Sequence, residues 1–220
     1  MSWAIDGTTA EAKDILAFEA AIAEAKKQNI LMFCSTSDHG SISSDNYWPA
    51  KSNECIRIGA ATALGDKCTW VPDQYDYLLP GKHIPFKWQR QDGVSSWYET
   101  GSSLSTALGA GLAGLLLYCD RAVHPESGVG SQGSAALRNP LYTKSSMTNI
   151  FRNLAAVSKD HKFLRADIWL DRKFRNYVRE NDGNAGPEDV AKKLSELQWS
   201  DESKKALRRL LAEMTSQDAA

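Results

Sequence analysis

Between Glu99 and Asp120 the chain carries no charged residue, and most of that stretch, GSSLSTALGAGLAGLLLYC, is Ala, Gly, Leu and Ser. A helix built from such small residues lets neighbouring backbones come close, so it belongs in the middle of a fold. The apolar part, Leu104 to Tyr118, is shorter than the roughly 20 residues needed to span a bilayer. It also holds Ser105, Thr106 and three glycines. The expectation is a buried central helix from about Ser103 to Cys119, not a membrane span.

The segments upstream indicate what that helix packs on. Residues 11–28, EAKDILAFEAAIAEAKKQ, put Ile15, Phe18, Ala21, Ile22 and Ala25 on one face with charges opposite, an amphipathic helix that Asn29 ends. The apolar run ILMFC (30–34) follows at once, as a strand buried on both faces of a parallel sheet would. CIRIGAAT (55–62) reads as a second strand, with CTWV (68–71) and YDYLLPG as shorter candidates, the last stopped by Pro80 and Gly81. A polar loop fills 35–53, and a loop rich in Trp and Gln precedes the central helix. Beyond Asp120 comes a Gly/Ser/Pro-punctuated loop, then a helix over 145–157 with Ser146 and Thr148 available for capping. Two strongly charged helices are expected over 187–214. The resulting division is 1–120 as the core, 121–180 as loop and helices flanking it, and 181–220 as a helical tail.

Bulk properties narrow the function. The 220 residues are 42% hydrophobic and 24% charged, enough for one cored domain, and the net charge of −1 argues against nucleic acid as a partner. Cys34, Cys55, Cys68 and Cys119 lie far apart without ligand spacing, so buried free thiols are expected rather than a disulfide scaffold. The start, MSWAIDGTT, has neither a basic region nor an apolar stretch of signal-peptide type, which predicts an intracellular protein.

Chemistry concentrates at the serine pair Ser102–Ser103. Gly101 permits close backbone approach there, and a serine at a helix N-terminus has free amides and the helix dipole beside it, which favour an oxyanion. Taken alone, though, a serine in that place reads as the N-cap of a packed helix, because capping serines far outnumber nucleophiles. The run Gly101-Ser102-Ser103-Leu104-Ser105 falls one residue short of the GxSxG elbow of α/β-hydrolases, with Ser105 at the last position. No HGGG-like loop precedes it, and Asp120/His124 and Asp160/His161 lie in segments without a strand-end signature.

A second resemblance covers more of the chain. GSSLSTALGAGLAGLL resembles the subtilase serine motif, with Gly101, Ser103, Thr106, Ala110 and Gly111 in register and Ala107 in place of the motif's Pro. FCSTSDHG resembles the strand and loop that deliver the oxyanion residue. YWPA followed by IRIGAAT resembles the Tyr-Pro-Ala segment and its following strand, and YDYLLPG the Asp-x-x-Ala-Pro-Gly segment. MSWAI resembles the strand that pairs with substrate. The order is that of subtilase domains over residues 1–120, and the likeness is nearest to those of filamentous fungi.

The resemblance implies an α/β, parallel-sheet, three-layer subtilisin-like fold lacking its N-terminal half, with a C-terminal helical appendage. It implies a serine endopeptidase acting on a peptide or protein substrate, with Ser103 as nucleophile. Asp38 takes the oxyanion position, where Asn is usual. A carboxylate there accepts but does not donate, unlike the Asn amide. Ser2, Trp3 and Ala4 take the substrate-strand positions, and Ser35, Thr36 and Ser37 line the pocket for the residue before the scissile bond. No cofactor is implied. Calcium occurs in the family, and no carboxylate spacing shows a calcium site here. The family's Asp and His precede the substrate strand, and none of His39, His83, His124 and His161 stands in the expected place. The expectation is therefore a chain inactive by itself, which needs the absent half of the domain as a partner and which exposes a sheet edge prone to aggregation. The alternative is a non-catalytic subtilase-like binding or scaffold module.

Overall fold

A computed structural model describes residues 1–40, 46–90, 93–123, 143–155, 162–164 and 208. Strands β1 (Ile5–Asp6), β2 (Met32–Ser35), β3 (Tyr47–Trp48), β4 (Cys55–Ala61), β5 (Tyr77–Pro80), β6 (Ile84–Arg90) and β7 (Gly93–Glu99) occur with helices α1 (Ala12–Lys27), α2 (Ser102–Val123) and α3 (Lys144–Ala155). β2, β4 and β5 form a parallel sheet in that order, in the registers Met32↔Cys55 and Ile58↔Tyr77.

The alternation of side chains along β2 sorts the layers. Phe33 joins Ile56, Ile58, Tyr77 and Leu79 against Ala113 and Leu116 of α2 and Met147, Ile150, Phe151 and Leu154 of α3. Cys34, one residue on, points the other way and packs with Cys55, Ile22 and Phe18 of α1. The sheet is thus sandwiched between α1 and the α2–α3 pair, the three layers expected of consecutive apolar strands joined to amphipathic helices. All four cysteines are buried and free, and burial pushes the Cys119 thiol up to about 11.

Local signals set the element ends. Asn29 adopts φ 55°, and the Ile30 amide donates to the Ala25 carbonyl and the Asn29 amide to that of Lys26. That is a Schellman termination with Asn in the left-handed position, so β2 starts three residues after α1 has closed. α3 is capped by Thr143, whose hydroxyl accepts from the Ser146 amide. Ser146 and Thr148 fall inside the helix instead of capping it.

Three differences from the sequence reading have physical causes. CTWV is not a strand: Lys67 makes a single bridge to Ala61, and the chain then turns, with Cys68 and Val71 buried over Ala60. The segment before α2 is not a loop but the β6–β7 hairpin, with seven register pairs from Ile84↔Glu99 to Arg90↔Gly93 and Phe86 stacked on Trp97 at 5.8 Å. Along β6, Ile84, Phe86 and Trp88 alternate with Pro85, Lys87 and Gln89, but β7, GVSSWYE, shows no matching alternation. The Ile5–Asp6 strand pairs antiparallel with Tyr47–Trp48, inside what reads as a polar loop. The charged helices expected over 187–214 lie outside the described residues, apart from the helical Arg208.

The sheet is extended at both sides. Met1 donates from its ammonium to the Phe33 carbonyl and accepts from the Ser35 amide, alongside β2. Residues 162–164 pair with Leu78 beyond β5. The outer face of α2 keeps Ala107, Leu108, Ala110, Gly111 and Gly114 exposed.

Two contacts carry predictions. Arg57 on β4 holds Asp76 through Nη2 (2.7 Å), Nε (3.3 Å) and its amide (2.8 Å). Burial pushes the Asp76 carboxyl up, but the Arg57 hydrogen bonds and charge outweigh that and leave it below the ordinary carboxylate value. A depressed folded-state pKa gives stability that is present above about pH 4, the unfolded value, and is lost as pH falls through the folded one. Asp76→Asn is therefore expected to lower Tm near neutrality, with the gap to wild type closing in acid; a gap independent of pH would contradict this. Gly81, after β5, has no room for a side chain: an added Cβ would lie 2.2 Å from Ser105 Oγ, 2.7 Å from Ala60 Cβ and 2.9 Å from the Gly101 carbonyl oxygen. Gly81→Ala should cost about 2–3 kcal/mol in urea unfolding.

Candidate active site

The C-terminal ends of β2, β4 and β5 converge on the first turn of α2, and there the two serines part company. Ser102 is fully buried. Its hydroxyl donates to Asp38 Oδ1 at 2.5 Å and accepts from Thr36 Oγ1 at 2.8 Å and the Ala60 amide at 3.0 Å. A hydroxyl has one proton and two lone pairs, so Ser102 has no capacity left for chemistry. It pins the start of α2 to β4 and to the loop after β2. Ser103 is exposed, and its Oγ donates to the Ser2 carbonyl at 2.8 Å. As the second residue of α2, its amide has no acceptor within the helix.

Asp38 stands between them in the left-handed region, φ 55°, which Asp and Asn tolerate better than most residues. Its Oδ2 accepts the Ser102 amide at 2.8 Å, so the carboxylate caps α2 from another element. Its Oδ1 accepts the Ser102 hydroxyl and is 3.1 Å from Thr36 Oγ1. The His39 ring packs on Tyr47 at 5.4 Å. Gly101, at φ 153°, supplies the turn into the helix in a region that only glycine adopts readily. Ser105 bonds the carbonyls of Leu79 and Pro80, and Thr106 that of Ser102, which fixes the rest of the first turn against β5.

The residues expected to meet substrate fall into two groups. Ser2, Trp3 and Ala4 are exposed beside Ser103, with Trp3 resting on Phe18 at 5.5 Å. Ser35 and Thr36 are buried and Ser37 is half-buried. The Thr36 side chain turns to Ser102 and Asp38. The Thr36–Asp38–Ser102 network was not legible in the sequence, because Ser102 is 64 to 66 residues from its two partners. The one signal for it was an Asp before a His-Gly turn, at a place suited to left-handed backbone. Among the described residues, no histidine contacts Ser103; His124 and His161 lie outside them. No group of three or more His, Cys, Asp or Glu side chains suited to a metal ion occurs among the described residues.

Comparison with known proteins bears on the fold. The chain is 30% identical over 112 residues to the subtilisin-like protease het-Q2 of Podospora anserina, a match covering 48% of this chain and 30% of that protein. Among solved structures, a lanthipeptide protease superposes with a TM-score of 0.55 at 16% identity, covering 76% of this chain and 58% of its own. A protease of Pseudoalteromonas arctica gives 0.51 at 15% identity, covering 76% and 48%. The chain thus spans about a third of the curated relative and about half of these structures. No family model matches it. With a parallel sheet between α1 and the α2–α3 pair, and with these likenesses, the chain has the α/β fold of subtilisin-like proteases.

Proposed function

We propose that this chain carries the nucleophile and oxyanion side of a serine endopeptidase centre, with the Asp and His of the triad supplied from outside these 220 residues. The observation that carries the reading is the division of labour in the serine pair. Ser102 is buried and saturated, which holds rigid the helix start from which Ser103 presents an exposed hydroxyl. In this reading Ser103 Oγ attacks a peptide carbonyl while a His supplied from outside these residues takes its proton; the His then gives that proton to the departing amine as the C–N bond breaks, which leaves an acyl-enzyme. The Ser103 amide and the α2 N-terminus stabilise the oxyanion. Asp38 serves as a positioning residue, because both of its oxygens are taken up by Ser102, Oδ2 by the amide and Oδ1 by the hydroxyl. Exposed Ser2, Trp3 and Ala4 offer backbone for an extended peptide, and Ser37 the rim of its pocket.

A fluorophosphonate probe tests the reading, since it labels only an activated serine. Labelling is expected at Ser103 when the chain is joined to sequence carrying the Asp and His, and is expected to vanish in Ser103→Ala. Absence of labelling in that completed protein would favour the second reading, a non-catalytic binding module, which the fully accepting carboxylate of Asp38 at the oxyanion position supports.

A further inference from the structure

At the other end of the sheet lies a cavity of about 600 Å³. It is walled by the N-terminal side of β2 and β4 and the start of α3, whereas Ser103 stands at the strands' C-terminal ends. The seven residues of β4 separate the two by roughly 20 Å. The size suits a small organic ligand. Lys144 and Arg152, spaced at i and i+8, fall on one face of α3 and both line the cavity.

The charges there do not balance. Lys26 is neutralised by Glu54 at 2.7 Å. Lys144 donates to the Asn53 carbonyl at 2.5 Å and Arg152 to Asn149 Oδ1 at 2.8 Å, both neutral acceptors. Asp76, the other nearby carboxylate, already holds Arg57. Among the described residues, two positive charges are thus left over the cavity, beside a wall that includes Ile30, 57% exposed, and half-buried Met32.

We propose that this cavity binds a small phosphomonoester, its phosphate on Lys144 and Arg152 and its organic part against Ile30 and Met32. A phosphomonoester carries a charge of about −1.5 to −2 at neutral pH and matches two cations, where a carboxylate carries −1. The Arg fork takes phosphate oxygens in pairs and Lys acts as a point charge. The site is independent of Ser103.

The test uses the full chain, alone or with whatever partner keeps it in solution, titrated calorimetrically with phenyl phosphate, inorganic phosphate and benzoate. Phenyl phosphate should bind one to one, more tightly than inorganic phosphate and at least about tenfold more tightly than benzoate. Affinity should fall with added salt. The pair Lys144→Gln and Arg152→Gln should weaken binding at least about tenfold. Glu54→Gln, which removes the opposing charge, should strengthen it several-fold, a gain that misfolding does not produce. Lack of saturable phenyl phosphate binding, benzoate binding as tightly, or an affinity that none of these variants changes would overturn the proposal.

Discussion

The 220-residue chain by itself is expected to hydrolyse peptides about a million-fold more slowly than the same chain completed with a matching Asp and His. The reason lies at one proton. The Ser103 hydroxyl donates to the Ser2 carbonyl, an acceptor that orients the oxygen without removing its hydrogen, so attack must proceed from a neutral alcohol. A His positioned to take that proton makes the difference; in subtilisin itself, loss of the His alone lowers kcat by on the order of 10⁶. A fluorogenic peptide assay on both forms, each with and without Ser103→Ala, measures the gap. Ser103→Ala should abolish the completed protein's turnover and remove whatever trace of serine-dependent turnover the chain alone has. Serine-dependent turnover by the chain alone within a hundredfold of the completed form would refute the proposal.

Removing the Asp38 side chain should have the largest effect on stability. Asp38→Ala takes the acceptor from the Ser102 amide and hydroxyl, leaving polar groups of a fully buried residue unmatched. Hydrogen bonds to a charged group contribute about 1.5–3 kcal/mol each and are not additive, so a loss of about 3 kcal/mol in urea unfolding is expected. Asp38→Asn should cost far less, about 1 kcal/mol. Asn tolerates the same left-handed backbone, keeps one oxygen for the Ser102 amide, and turns its NH₂ toward hydroxyls that are free to rotate. The two variants separate the capping role from charge: if Asn is as damaging as Ala, the carboxylate's charge matters more than its hydrogen bonds.

The contrast between Asp38 and the helices shows what can be read from a linear chain. α1, β2, β4, β5, α2 and α3 announce themselves through periodicity and runs of apolar residues, because each buries a face within its own length. The Asn29 stop is local backbone chemistry and equally visible. Ser102 on α2 and the Thr36/Asp38 pair in the loop after β2 make a tertiary agreement between two distant segments, and no spacing within either encodes it. The exposed hairpin escapes for the opposite reason. Its strands are held by each other and by Phe86 on Trp97, and although Ile84, Phe86 and Trp88 alternate along β6, β7 has no matching alternation to complete the hairpin signal. Even so, the exposed member of the serine pair stands on the helix that the small residues pointed to.

One further consequence follows from the way the hairpin is rooted. The Gly101 amide donates to the Gly81 carbonyl at 2.8 Å, and the His83 amide to Thr100 Oγ1 at 3.0 Å. The ends of the 82–100 segment are therefore clasped to each other before α2 begins. Everything distal to that clasp is an interchangeable cassette: evolution or an engineer could shorten, lengthen or swap it without loosening the footing of the helix beneath.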